Sequence, residues 1–309
     1  MSRITYISVG ILCVGLASAA AYTYGVKVAA KNGAYSVSMP DEKVEKAVAN
    51  PTISENRQKT INAIVPHKAL YNMELATIKG GSPITDIGGE MYYKWEDVCD
   101  AWSTDHRFKI DYYYTDRPSI TTTRHFVSWE SKDGARLSFF ADGYTGGIED
   151  KDIRGQAKRY VDDTGAALFY APSGLSFDFD EEFTFPIQHA LNVIDAAKKG
   201  ESLYFATLFD GTDDEGPVQV NVVIDQNTPE MDERLKKALD SELIDSPSWN
   251  MRYAFFKDNE PQSKMGLPSY EMRLRMHENG VVSEMIVEYD KFSVRQNLLA
   301  VDALPKPEC

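Results

Sequence analysis

A period of two in the hydrophobic residues is the feature that most constrains the fold of this chain. It begins after His67, where Tyr71, Met73 and Leu75 alternate with polar neighbours. The same alternation returns in residues 108–114, 125–129, 218–224, 249–255, 272–276 and 285–289. Over residues 125–129 it places His125, Val127 and Trp129 on the apolar face. Turn signals such as Gly80-Gly81 separate these segments. Strands with one apolar and one wetter face are typical of antiparallel sheets, so the sequence predicts a mainly β fold.

One segment departs from this pattern and predicts a helix at about residues 186–199. Pro186 suits the first helical turn, and Gly200 supplies a stop. Between them, the apolar residues share one helical face: Ile187, Ala190, Leu191, Ile194 and Ala197. The acidic residues that precede the helix favour the positive end of its dipole: Asp178, Asp180, Glu181 and Glu182. A second, weaker helix is predicted within residues 229–243.

Residues 1–21 are predicted to be a cleaved signal peptide. Arg3 is followed by an almost continuous apolar stretch over residues 4–16 and by small residues over 17–21, where cleavage fits after Ala19 or Ala21. The apolar stretch is shorter than the ~20 residues that a membrane-spanning helix needs. An uncleaved anchor or an N-terminal core helix is the alternative. We therefore expect a periplasmic or secreted protein with no membrane span after cleavage.

Cleavage would also remove Cys13 and leave two cysteines, Cys99 and Cys309. In an oxidising compartment, an even pair without other partners most simply forms one disulfide. The alternative is a buried thiol at Cys99 and a reactive thiol on the C-terminal tail. Residues 22–64 are polar and mixed and predict an arm or linker of unassigned role. Residues 65–309 predict a single β domain that the disulfide closes.

The charge of the chain excludes one class of partner. Lys and Arg number 33 against 47 Asp and Glu, which gives a net charge of −14 at pH 7. Such a charge repels nucleic acid and anionic lipid surfaces at long range. We therefore expect neither a nucleic-acid partner nor direct docking on anionic headgroups.

Motifs of catalysis and of metal binding are missing from the sequence. The five histidines lack metal-ligand spacing: His67, His106, His125, His189 and His277. His277-Glu278 begins like a zincin motif, but Val281 stands where the second histidine is needed. We expect no enzyme, no cofactor and no metal. Carboxylates are abundant, so a hydrolase with an unrecognised carboxylate pair stays an alternative.

An acidic segment at residues 210–216 resembles a calcium loop in composition. It lacks the sixth-position glycine and the final glutamate of the EF-hand pattern. The favoured interpretation is a solvated hairpin loop between two strands, with calcium binding as the alternative.

Aromatic residues are abundant, with 17 Tyr, 14 Phe and 4 Trp. Core packing and cross-strand pairs are the favoured explanation. The alternative is that some of them line an apolar groove for a peptide or a lipid chain. One helix covers only part of a long curved sheet, which predicts a concave, partly open apolar face.

Several short segments resemble the alphaproteobacterial cell-envelope integrity protein B family over residues 65–309. The most specific is the pattern W-x-x-x-C-x-x-W at Trp95, Cys99 and Trp102, together with a cysteine at position 309. The others are Trp129-Glu130-Ser131, Phe185-Pro186 with His189, Gly200-Glu201 and Leu208-Phe209-Asp210-Gly211.

The resemblance implies a periplasmic protein folded as a long, broken antiparallel β-spiral around a central helix. Its shape would be similar to the lipoprotein carriers LolA and LolB, and Cys99 and Cys309 would form the family's structural disulfide. It also implies a non-enzymatic binding or scaffold protein that maintains cell-envelope integrity. The expected partner is an envelope peptide, lipoprotein or lipid component. The alternatives are a lipid or lipoprotein carrier proper and an envelope-modifying hydrolase, because function depends on sites rather than folds.

Overall fold

The chain folds mainly into β-strands, as the period of two predicts. The computed structural model describes residues 6–7, 18–19, 46–180, 182–239, 241–257, 263 and 265–309. Its strands are β1 (Tyr6–Ile7), β2 (Ser18–Ala19), β3 (His67–Ile78), β4 (Ile84–Asp97), β5 (Ala101–Tyr114), β6 (Ile120–Ser131), β7 (Arg136–Thr145), β8 (Ile148–Arg159), β9 (Gly165–Ala171), β10 (Ser176–Phe179), β11 (Phe183–Thr184), β12 (Leu203–Leu208), β13 (Val218–Asp225), β14 (Ser248–Phe256), β15 (Tyr270–His277), β16 (Val282–Glu288) and β17 (Phe292–Ala303).

The helices are α1 (Glu55–Ala63), α2 (Pro186–Lys198) and α3 (Glu233–Leu239), followed by a 3₁₀ turn at Glu242–Ile244. The segment 229–243 thus contains a helix that is shorter than predicted. Within the described ranges, no helix is long and apolar enough to cross a membrane.

Fifteen of the described strands form one sheet in the order β10-β9-β8-β7-β6-β5-β4-β3-β17-β16-β15-β14-β13-β12-β11. Strands that follow one another in the chain are neighbours in the sheet, except β10 and β11, which lie at its two edges. The long-range pairing of β3 with β17 joins the two halves. The ladders are antiparallel except for the short parallel pair of β11 with β12. The two edges lie close together, because the rings of Phe179 on β10 and Phe183 on β11 are 4.8 Å apart. The sheet is therefore nearly closed and barrel-like, which confirms the predicted fold class.

Helix α2 lies inside the curved sheet and confirms the helix predicted at 186–199. Pro186 is at its start, and Gly200 follows its end in the left-handed conformation at φ 79°. The helix is buried on more than the predicted face, because His189 and Val193 are also fully buried. A helix enclosed in this way is apolar around most of its circumference.

The inward apolar side chains are buried along the described sheet, in two clusters. The larger cluster surrounds α2. The smaller is aromatic and fills the end near β6 to β11: Phe126, Phe139, Phe169, Phe179, Phe183, Phe185 and Phe209. The concave apolar face that the sequence predicted to be partly open is filled by the protein's own side chains. The cavities described below lie on the other face.

Part of the predicted N-terminal arm packs against the domain. Val48 forms an antiparallel β-bridge with Tyr160, which attaches residues 46–49 to the domain. Helix α1 begins after the capping hydroxyl of Ser54 and lies on α2, where Arg57 Nη1 is 3.0 Å from Asp195 Oδ2. The predicted signal peptide lies outside the described residues, apart from β1 and β2, which pair with each other.

Candidate functional site

The outer face of β13 to β17 carries a cleft of about 380 Å³ whose lining is rich in arginine. Its guanidinium groups come from β14, β15 and β17: Arg252, Arg273, Arg275 and Arg295. Two carboxylates, Asp225 and Glu284, also line it. Four cations against two anions make this lining positive, on a chain whose net charge is −14. We call it the arginine cleft.

The strand register creates this concentration of charge. One row of cross-strand partners contains, in order, Val223, Arg252, Arg273, Ile286, Arg295 and Glu74. Arg252 and Arg273 are therefore directly opposite each other on neighbouring strands. Like charges in that position destabilise an antiparallel pair. The arrangement has an electrostatic cost, which the contact of Arg273 with Glu288 lowers.

The four arginines differ in how far the protein neutralises them. Arg273 Nη2 is 2.6 Å from Glu288 Oε1, whereas Arg295 Nε is 4.0 Å from Glu74 Oε1. Arg275 is buried and donates to the carbonyl of Pro229 at 2.9 Å. Arg252 is exposed.

In the described part of the chain, Arg252 makes neither an ion pair nor a side-chain hydrogen bond. Its five N–H donors thus face solvent at the end of the charged part of the row, next to Val223.

An exposed apolar strip adjoins the arginine cleft. Leu203 is the cross-strand partner of Val223, and Phe205 follows on the same face of β12. All three side chains are exposed: Leu203 by 55%, Val223 by 50% and Phe205 by 62%. On the side of β12 away from β13, the short strand β11 pairs only with Thr207 and Leu208. Among the described strands, Leu203 and Phe205 thus have no partner on that side, and the strip lies at an edge of the sheet.

A second groove of about 510 Å³ crosses the outer face of β3 to β7. His125 lies in it between two carboxylates, with Nε2 3.2 Å from Asp105 Oδ1 and Nδ1 3.2 Å from Asp142 Oδ1. Arg107 holds Asp105 through two contacts of 2.7 and 3.0 Å. Among the described residues, none of these contacts of His125 is with a serine, threonine or cysteine. The described partners of His125 in this groove are thus carboxylates, although one hydroxyl, that of Thr123, also lines the groove.

A histidine–serine pair does occur, but it is inside the protein. His277 Nε2 is 3.0 Å from Ser283 Oγ, and both residues are 1% exposed. Burial lowers the pKa of His277 to about 4. Such a pair is closed to substrate and its histidine is a weak base, so its role is structural.

The acidic loop at residues 210–216 connects β12 and β13, but it is tied to the protein rather than solvated. Lys257 Nζ is 3.0 Å from Asp213 Oδ2 and also contacts Glu215. Lys151 Nζ donates to the carbonyl of Thr212 at 2.7 Å. Burial opposes the charge on Lys257, yet the two carboxylates raise its pKa above the usual range. In the structure, Asp213 and Glu215 thus contact the ammonium group of Lys257. No group of three or more potential metal ligands occurs in the ranges that the structure describes.

The predicted cysteine pair is joined in the structure. Cys99 and Cys309 form a disulfide across 210 residues, with their Cα atoms 5.7 Å apart. Cys99 occupies the turn between β4 and β5 at φ 70°. On either side of it, Trp95 and Trp102 are both 1% exposed and pack edge to face at 5.7 Å. The W-x-x-x-C-x-x-W pattern is thus a structural element that fixes the C-terminus to a hairpin.

A buried carboxylate that the sequence did not single out as functional, Glu130 on β6, receives the start of α2. Its two oxygens accept from the backbone N–H groups of Ile187 and Gln188 at 2.7 and 2.8 Å. Burial raises its pKa to about 8, against the effect of these hydrogen bonds. The sequence predicts that the acidic run before the helix stabilises this helix start, whereas in the structure Glu130 contacts it and Asp178 and Asp180 are exposed. The sequence contained one signal at this position, the segment Trp129-Glu130-Ser131 of the family resemblance. Only the fold shows that Glu130 contacts the start of α2.

Comparisons with known proteins agree with this architecture. A family model described as EipB-like matches residues 58–305. The chain is 26% identical over 243 residues to the cell envelope integrity protein EipB of Brucella abortus (strain 2308). The aligned region covers 77% of this chain and 84% of that protein. It also superposes on the crystal structure of a beta-barrel-like protein of the domain of unknown function DUF1849 from Brucella abortus. The TM-score is 0.72 at 26% identity, over 78% of this chain and 99% of that one. The family match covers well over half of the sequence and confirms the resemblance found in it, and the chain therefore belongs to the EipB-like family.

Proposed function

We propose that this protein is a non-enzymatic binding or scaffold protein of the periplasm that maintains the integrity of the cell envelope. The relative in Brucella abortus is named a cell envelope integrity protein. The N-terminal sequence pattern predicts export, and a disulfide suits an oxidising compartment. The ligand in this proposal is a peptide, lipoprotein or lipid component of the envelope.

The arginine cleft and the apolar strip beside it are the observation that carries the proposal. They combine an exposed, unpaired cation at Arg252 with exposed apolar side chains at Leu203 and Phe205. A surface of this composition suits recognition of a molecule with charged and apolar parts. The buried histidine–serine pair, in contrast, offers no accessible chemistry.

The test is native mass spectrometry of the full chain purified from the periplasm of an expressing cell, with the mature N-terminus read from the intact mass. We expect a molecule bound to the folded protein that is released on denaturation. The control is the same preparation after unfolding, washing and refolding, which should be ligand-free. A preparation that never carries a ligand but cleaves peptidoglycan would contradict the proposal and favour the hydrolase alternative.

A lipid or lipoprotein carrier is a second candidate, favoured by the apolar strip. Fluorescently labelled lipid or lipoprotein, loaded on the protein and mixed with acceptor vesicles, measures this activity. Transfer that is faster than spontaneous desorption would support a carrier. Stable retention would favour the scaffold role.

A further inference from the structure

We propose that the arginine cleft binds the phosphate group of an anionic amphiphile whose apolar chain lies along Val223, Leu203 and Phe205. This proposal deepens the function proposed above and rests on it. It names the class of ligand and the residues that contact each part of it.

The charge pattern points to an anion. Arg252 and Arg273 are direct cross-strand partners. Two adjacent cations are notable in a chain in which 47 acidic residues outnumber 33 basic ones. Glu288 offsets the charge of Arg273, but in the described part of the chain Arg252 has no ion pair. Local features that cost stability are typical of functional sites. Neighbouring strands are about 4.8 Å apart, so two guanidinium groups in this position reach the same phosphate. Guanidinium forks bind phosphate oxygens in a bidentate manner, and charge assistance strengthens each bond.

The size of the cleft points to a headgroup rather than to a whole lipid. Its volume of about 380 Å³ is at the small end of ligand sites, which span about 300–1,000 Å³. Arg295 lies two strands from Arg273, with Ile286 between them. A headgroup that fills the cleft therefore contacts Arg252 and Arg273 at one end and Arg295 at the other. An acyl chain must lie outside it.

The apolar strip begins where the charged row ends. Val223 is the cross-strand neighbour of Arg252, and Leu203 is the neighbour of Val223. A ligand held by its phosphate at Arg252 would place its chain on these residues and on Phe205. Inorganic phosphate would leave the strip uncovered, so an amphiphile fits the surface better than a free anion.

The net charge of −14 decides between a single amphiphile and a bilayer. At physiological ionic strength, charges are screened beyond about 8 Å. The arginines therefore act on a phosphate within the cleft, while the acidic remainder of the surface repels a dense anionic membrane. The ligand class is accordingly a monomeric phosphate-bearing amphiphile.

The experiment is titration calorimetry of the full chain with four probes. They are monomeric dihexanoyl phosphatidic acid, inorganic pyrophosphate, octyl glucoside, and phosphatidylcholine vesicles that contain phosphatidylglycerol. We expect phosphatidic acid to bind most tightly, pyrophosphate more weakly, and the uncharged detergent and the vesicles not measurably. Binding of phosphatidic acid should weaken as sodium chloride is added.

Three variants at exposed positions locate the site, and thermal melting confirms that each is folded. R252Q/R273Q should weaken binding of both phosphate probes by about tenfold or more, because each charge-assisted hydrogen bond contributes a factor of this order. V223N/F205N should weaken phosphatidic acid several-fold and leave pyrophosphate unchanged. The control R154Q removes an exposed arginine on β8, which is not one of the strands that line the cleft. This arginine pairs with Asp152 on the same strand, and its removal should change the affinity for neither phosphate probe.

Three results would overturn the inference: no binding by the wild-type chain, no effect of R252Q/R273Q, or pyrophosphate binding as tightly as phosphatidic acid. Failure of the inference is distinguishable from failure of the proposed function. If the periplasmic protein carries a molecule that R252Q/R273Q still retains, the binding function stands and this site is wrong. If it carries no molecule at all, both fail.

Discussion

Acid should destabilise this fold through its buried histidines, and His189 on α2 offers the clearest measurement. The ring is 0% exposed and packs at centroid distances of 5.5 and 5.9 Å from Tyr204 and Tyr253. Neither ring nitrogen has a hydrogen-bond partner in the part of the chain that the structure describes. Burial lowers its pKa from 6.5 to about 3. His189 is therefore neutral in the folded protein across the pH range in which the unfolded chain becomes protonated.

The sign and size of the effect follow from proton linkage. Below pH 6.5 the unfolded chain binds a proton that the folded chain does not, so the free energy of unfolding falls as pH falls. One pKa unit corresponds to about 1.4 kcal/mol, so His189 alone should cost about 2 kcal/mol at about pH 5.

Burial also lowers the pKa of His67, His106 and His277 to about 4, 3 and 4. These three histidines act in the same direction as His189. Glu130 opposes them, because its raised pKa means that the folded chain binds this proton at a higher pH than the unfolded chain does.

The assay is urea unfolding of wild-type protein and of H189F at about pH 7.5 and about pH 5. At the higher pH the two should agree within about 1–2 kcal/mol, because an apolar ring replaces two unpaired polar atoms. At the lower pH, H189F should gain about 2 kcal/mol relative to wild type. L191M on the same helix is the control and should shift stability equally at both values. Parallel pH dependences for wild type and H189F would refute the reasoning, since they would mean that His189 takes up its proton equally in both states.

Four other predictions concern the contacts that hold the fold and the acidic loop at residues 210–216. E130Q should lower the free energy of unfolding by about 1–3 kcal/mol in urea titrations, because an N–H group at the start of α2 loses its acceptor; unchanged stability would contradict the role of Glu130. C99S should lower it by about 5 kcal/mol on the loop-entropy estimate, and wild type in reductant should melt like the variant; equal melting of oxidised wild type and C99S would disprove the contribution of the disulfide. K257M should lower the free energy of unfolding by about 1–3 kcal/mol, because the part-buried carboxylates of Asp213 and Glu215 would lose the ammonium group that they contact. Calcium should not raise the melting temperature of the wild type, and a calcium-dependent increase would revive the metal-loop interpretation.

Local signals in the sequence predicted the elements of this fold. The period of two marks β3, β5 and β13 to β16, since each buries one side of a pleated strand. Helix α2 is recognisable from its proline start, apolar spacing and glycine stop, all of which act within a few residues. Cys99 and Cys309 could be paired because export would leave them no other partner. The W-x-x-x-C-x-x-W pattern was specific enough to indicate the family.

Signals of this kind could not set the face on which each strand is buried. On β6 the sequence suggested His125, Val127 and Trp129 as one apolar set, yet Phe126, Ser128 and Glu130 are the buried ones. A shift of one residue exchanges the two faces of a strand, and only packing against other elements decides between them. The inward orientation of this face also buries Glu130 against the start of α2, where it accepts a hydrogen bond from Ile187, 57 positions away in the sequence.

The sequence by itself therefore determined a β-rich chain with one enclosed helix, its family and its cysteine pair. The tertiary structure alone decided what the surface offers to a ligand. Arg252, Arg273 and Arg295 lie on three different strands and are unremarkable in the sequence, but the register of β14 to β17 brings them into one row. Register depends on long-range pairing between strands, and no local pattern encodes which arginines will be neighbours.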